Sequence, residues 1–167
     1  MKKTFILFGI VAVLIMNGNE VNAGKQNPEC KALEQIFKTK VKAEKNVCSL
    51  EITRNSIEAT HMGEMVSPET LGLAFHFAFE KLNDKETLVI GEMALLQEEV
   101  NPVIDELREG GLEISAIHNH WMYEKPRIMY LHVQGKGNMI KQANTLINAI
   151  AVTKERQKQA LETTGTH

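Results

Sequence analysis

The chain is poor in the features that most readily name a function. Its 167 residues include only two cysteines, four prolines, one tryptophan and two tyrosines. There is no Gly-x-Ser-x-Gly elbow and no phosphate-cradling glycine loop, so neither nucleophilic acyl transfer nor nucleotide binding has a motif to stand on. Charge of neither sign dominates. Nineteen Lys and Arg face 21 Asp and Glu, a formal −2, with no basic stripe for nucleic acid. The one strongly apolar run, Phe5 to Met16, is twelve residues long, where a membrane-spanning helix needs ~20.

That short run has its own meaning. "MKK" precedes it, and "NGNEVNA" follows, with Val21 and Ala23 three and one residues before a cut at Gly24. This order is that of a cleavable secretory signal peptide over residues 1–23. The expected protein is secreted or held in the cell envelope, with no stable membrane span after cleavage. No cysteine follows the cut to accept a lipid. An oxidising destination permits a bridge between Cys30 and Cys48. Residues 24–153 are expected to form a single domain, and 154–167 a polar C-terminal tail.

Within the domain, Ala32, Leu33, Ile36, Phe37 and Val41 fall at helical spacing behind Pro28. "VCSLEITR" alternates as a strand, and 57–72 reads as a short strand and a loop. Leu73, Phe75, Phe77 and Phe79 alternate into a hairpin that turns at Asn83-Asp84 and returns over Leu88 to Leu96. "QEEVNPVIDELREGG" predicts a helix with Pro102 in its first turn. Two further strands follow, "LEISAIHNH" and "RIMYLHVQ". A last helix is expected to bury Ile140, Ala143, Leu146, Ile147 and Ile150. Hairpins mixed with helices, without regular βαβ alternation, predict an α+β fold: an antiparallel sheet with helices packed on it, ending in a β-α-β-β-α unit.

The chemistry concentrates in "AIHNHWMYEKPRIMYLH", residues 116–132, which holds three of the six histidines. In a strand His118 and His120 share a face with Leu112, Ile114 and Ala116, which makes that face the inward one. A turn at Lys125-Pro126 pairs residues whose numbers sum to about 250 or 252. His132 then lies across from His118 or His120. Three imidazoles on one surface suit zinc or copper, with Glu124 in the turn as a further ligand. The plainer reading is a hydrogen-bonded pair of hairpin histidines and a bystander. The HxHxxxE spacing also occurs in cupin enzymes, whose glycines and second motif are missing here.

Glu92 is the lone charge in "TLVIGEMALL" and shares its face with Leu88, Ile90 and Ala94. A buried carboxylate needs a cation or metal, so Glu92 is either a general base or a residue on an open edge. Arg127 is read as an anchor for an anionic substrate or as a surface ion pair. His76 sits between Ala74 and Ala78 and reads as an exposed strand histidine. Nothing fixes the direction of His61, and Met62, Met65, Met93, Met122 and Met129 read mostly as core filler.

The run "GEMALLQEEVNPVIDELREGGLEISAIHNHWMYEKPRIMYLHVQGKG", with weaker support from "VCSLEITR" and "FAFEKL", resembles the LppY/LpqO-like family of exported bacterial proteins. That family is built on a domain of unknown function. Many members look like two tandem copies, and this chain resembles one. The resemblance spans about residues 30–151 and places His118, His120, Glu124, Arg127 and His132 inside the family's motif, with no catalytic role attached. Three functions remain open from sequence. They are binding of a divalent metal or small polar ligand, metal-dependent hydrolysis or isomerisation with Glu92 and Arg127, and a structural module that binds no metal.

Overall fold

The computed structural model describes residues 28–155; the expected leader and the residues from 156 onward lie outside them. In chain order the elements are α1 (Pro28–Phe37), β1 (Val41–Glu44), β2 (Val47–Thr53), β3 (Ala59–His61), β4 (Glu64–Val66) and α2 (Pro68–Leu71). There follow β5 (Ala74–Lys81), β6 (Thr87–Leu96), a single 3₁₀ turn (Gln97–Glu99), α3 (Val100–Glu109), β7 (Glu113–Asn119), β8 (Glu124–Lys125), β9 (Ile128–Gly137) and α4 (Met139–Ala151). Six strands form one antiparallel sheet in the order β1-β2-β5-β6-β9-β7, and β4-β3-β8 form a second, small one. The α+β expectation and the β-α-β-β-α ending hold, with the two-residue β8 added inside the last hairpin.

Helices cover one face of the large sheet because every strand offers an apolar row to that side. Phe75, Phe77 and Phe79 of β5 are buried against Leu33 and Phe37 of α1, Leu107 of α3 and Leu146 of α4, together with Val89, Met93, Leu131 and Val133. Burying one such phenylalanine contributes roughly 1.5–3 kcal/mol. Gly91 marks a close approach between neighbouring strands at this core. A Cβ there would stand 2.4 Å from the Phe77 ring and 2.8 Å from the His76 carbonyl oxygen, so no larger residue fits without moving β5. Cys30 of α1 and Cys48 of β2 form a disulfide inside the core. Closing that short loop stabilises by about 3 kcal/mol in the chain-entropy account.

Two local expectations are corrected. Val41 belongs not to the α1 stripe but to an edge strand opposite Leu50, because Lys38 adopts φ 55° and ends the helix. The helical spacing of Val41 is coincidental. Ile140 is exposed rather than buried, since the face of α4 that meets the core is carried by Ala143, Leu146, Ala149 and Ile150.

The other face of the large sheet is covered only at one end. There Ala94, Leu96, Ile128 and Tyr130 pack with Ile57, Ala59, Leu71 and Leu73 beneath the small sheet. Next to this second cluster lies a fully buried guanidinium. Arg54 donates from Nη1 to Glu99 Oε2 at 2.9 Å and to the Ala94 carbonyl at 2.6 Å, and from Nη2 to Glu99 Oε1 at 2.8 Å. It also lies over the Phe75 ring at 4.8 Å. Glu99 accepts in addition from the amides of Leu96 and Lys154. Buried Glu155 approaches Arg54 Nε to 3.7 Å and accepts from the Ser56 amide. Lys154 and Glu155, assigned to the tail by sequence, are thus tied into the body of the domain.

Candidate functional site

The uncovered part of the sheet is polar, and its composition follows from alternation. The residues opposite the phenylalanine row on β5 are Ala74, His76 and Ala78; on β6 they include Ile90 and Glu92, and on β9 Tyr130, His132 and Gln134. Simple alternation would have sent His118 the other way, towards the helices with Ile114. A bulge prevents this. Ile114 pairs with Val133 and Ala116 with His132, which leaves Ser115 as an extra residue. Everything after it changes face. The sequence expectation that His118 lies on the inward face with Leu112 and Ile114 is therefore overturned. The register is corrected as well. His118 lies opposite Tyr130, and His132 lies opposite Ala116, so the two histidines are diagonal neighbours on the open face. The pairing sums to 248, not 250 or 252, because β8 is drawn out of the hairpin to pair with β3.

The diagonal brings the two imidazoles together. His118 Nε2 and His132 Nε2 are 3.0 Å apart, and their rings lie 5.1 Å centroid to centroid. His118 Nδ1 is 2.9 Å from the carbonyl oxygen of Asn119. A carbonyl can only accept, so Nδ1 carries the proton and Nε2 of the neutral ring presents a lone pair to His132.

His120 is held differently. Its ring stacks on Tyr130 at 4.2 Å and 15°, and its Nδ1 is 3.0 Å from Glu124 Oε2. Glu124 is buried, and its other oxygen accepts from the Ile128 amide at 3.1 Å. Both carboxylate oxygens are thus engaged, which leaves His120 Nε2 as the free atom of the pair. Burial pushes the His120 imidazole below its ordinary 6.5, against the opposing pull of Glu124. Burial likewise raises the Tyr130 phenol to about 12, with Glu92 and then Glu124 adding to it. Tyr130 also stacks on His118 at 6.1 Å and donates its hydroxyl to the Gly72 carbonyl.

The remaining candidates divide. Glu92 is half-buried on the open face, with the Leu88, Ile90 and Ala94 alternation as expected, and it pairs with His132 on one side and His76 on the other. Arg127 is exposed and donates to the Trp121 carbonyl at 3.1 Å. The rung of Glu92 lies five residues further along β9, about 16 Å at ~3.3 Å per residue, so the structure does not bring Arg127 to Glu92. His61 faces the edge of Trp121 at 6.3 Å, and Trp121 lies 5.3 Å from His120. Met62, Met65 and Met122 are exposed rather than core, whereas Met93 is fully buried. His76 and Tyr130 are the residues that sequence reading undervalued. Counting outward from the Asn83-Asp84 turn sets His76 opposite Glu92, so that signal was present. Among the described residues, no three His, Cys, Asp or Glu side chains are gathered as they stand into a ready metal cage.

Fold and site together define an α+β domain whose antiparallel sheet is helix-covered on one face and carries imidazoles and carboxylates on the other. Residues 31–152 match the family model described as Domain of Unknown Function (DUF1259), and the chain belongs to that family. No curated protein and no solved structure matches the chain. No helix among the described residues is long and apolar enough to cross a membrane.

Proposed function

We propose that this domain binds a divalent transition ion, zinc or copper, through His118 and His132 on the open sheet face of an exported protein. What carries the reading is the pair of Nε2 atoms at 3.0 Å, with the opposite nitrogen of His118 committed to a backbone carbonyl. Metal-bound histidines are oriented in this way, the second ring nitrogen donating to a carbonyl or carboxylate. Two Zn–N or Cu–N bonds of ~2.05 Å whose ends lie that far apart subtend about 95°, an angle that suits two neighbouring positions around one ion. Glu92, cross-strand from His132, is the adjacent carboxylate. Glu124 serves as the residue that orients His120, since its oxygens are already engaged. The disulfide and the short N-terminal apolar run support export, and the finer likeness to the LppY/LpqO-like proteins belongs to this same reading.

The test is calorimetric titration of chelator-stripped, untagged protein with zinc and with copper(II). Binding is expected, together with a rise in melting temperature equivalent to about 2.7 kcal/mol at a hundredfold excess over Kd. The single tryptophan, beside His120, should be quenched by copper. His118→Ala and His132→Ala should each remove the binding step at this pair of histidines and the part of the melting shift that goes with it. A wild-type protein that gives no heat and no melting shift with either ion would refute the reading.

A further inference from the structure

The imidazole and carboxylate pattern does not stop at His132. Glu51 of β2 pairs with His76 of β5, His76 with Glu92 of β6, and Glu92 with His132 of β9. Direct cross-strand partners share a face and stand about 5 Å apart, so acid, imidazole, acid and imidazole form one rung across four strands. Among the described residues, the side chains of Glu51, His76 and Glu92 make no hydrogen bond or ion pair, unlike that of Glu124. The rung carries two carboxylates, and the cations nearest to it, Lys40 and Lys42, line the groove at its Glu51 end without forming an ion pair with Glu51. Of the grooves that open above it, one of about 280 Å³ over His132 and one of about 260 Å³ over Glu51 are both lined by His76 and Glu92, and a third of about 520 Å³ reaches Glu51 and His76 from the β1 side. Ala74 and Ala78 flank His76, so short side chains leave the space above it clear.

We propose that this rung holds a second cation position beside the first, with His76 and Glu51 as its own ligands and the Glu92 carboxylate shared between the two ions. The proposal rests on the metal reading of His118 and His132. It adds that the site takes a pair of cations rather than one. Each ion would draw the side chains together from their separate positions, which requires rotation about side-chain bonds and no movement of the sheet. Glu92 is the natural bridge, because it is the direct cross-strand neighbour of both histidines, His76 on β5 and His132 on β9.

The stoichiometry of zinc on stripped, untagged, full-length protein tests this, measured by elemental analysis after equilibrium dialysis and by titration. Two zinc ions per chain are expected for the wild type. His76→Ala and His76→Gln should each bind one, with the affinity of the remaining ion changed less than about threefold. Glu51→Gln should weaken the same ion about tenfold or more, on the scale seen when metal-site partners are removed. His118→Ala should lose the other ion, and Glu92→Gln should weaken both. Thermal melts of each variant establish that it folds. One zinc in the wild type, kept unchanged by both His76 variants, overturns the second position and leaves the first standing. Two zincs that survive both His76 variants overturn it as well. No zinc at all in the wild type brings down the metal reading itself, and this proposal with it.

Discussion

Two polar clusters in this domain use the same kinds of residue to opposite ends. Around Arg54, two of the three guanidinium nitrogens are hydrogen-bonded, the partner carboxylate of Glu99 is saturated by backbone amides, and burial is complete. That cluster closes on itself and ties β2, the end of β6, the start of α3 and the C-terminal residues 154–155 together. On the open face, His118 and His132 present nitrogens to each other, and the side chains of Glu51, His76 and Glu92 make no hydrogen bond or ion pair among the described residues. A buried charge must be satisfied by the chain itself, whereas a half-exposed group can wait for something from solution. The difference separates a structural cluster from a candidate site more sharply than composition does.

The largest effect expected is at Arg54. Arg54→Met leaves Glu99 and Glu155 buried without their cation, and should lower unfolding free energy by roughly 3–5 kcal/mol in urea titrations. A loss below ~1 kcal/mol would show that this cluster is not closed in the sense argued. A smaller effect is expected where the two clusters grade into each other, at the His120–Glu124 pair. Its folded imidazole titrates below 6.5, so between that depressed value and 6.5 the unfolded chain holds a proton that the folded chain lacks. The contribution is therefore complete above pH 6.5 and is lost as pH falls through that window. Metal-free melting curves should show a steeper acid-side loss for wild type than for His120→Gln, and equal slopes would contradict the assignment. The smallest effect is expected at the open pair. His118→Ala and His132→Ala should shift metal-free stability by no more than ~0.5 kcal/mol, as for surface positions, while removing the ion that these two histidines hold. A large loss of stability there would place these histidines with Arg54, as structural residues.

What could be read from the sequence was what depends on neighbours along the chain. The period-two phenylalanines, the Asn83-Asp84 hairpin, the helix with Pro102 in its first turn and the face of Glu92 are all local patterns, and the structure follows them. What escaped is set by distant partners. Arg54 at the end of a strand looks like an ordinary solvent-facing charge until Glu99 and Glu155 arrive from 45 and 101 residues away. The hairpin register was misjudged because β3, more than 60 residues earlier, captures Glu124 and Lys125 and reshapes the turn. The histidine cluster was found as a sequence segment, but its face was inverted, since no local signal marks Ser115 as an extra residue.

Ser115 carries one more consequence. The bulge changes the parity of β7: even-numbered residues face the helices up to Ile114 and face outward from Ala116 onward. Parity is restored by removing the extra residue. A chain lacking Ser115 would pair Ile114 and Ala116 with consecutive rungs of β9 and keep His118 where it is. A same-length chain forced into an unbulged ladder would instead turn His118 into the apolar core. The position of the histidines is thus encoded in a count of residues rather than in the identity of any one of them, and in this strand a deletion is a milder change than a regularisation.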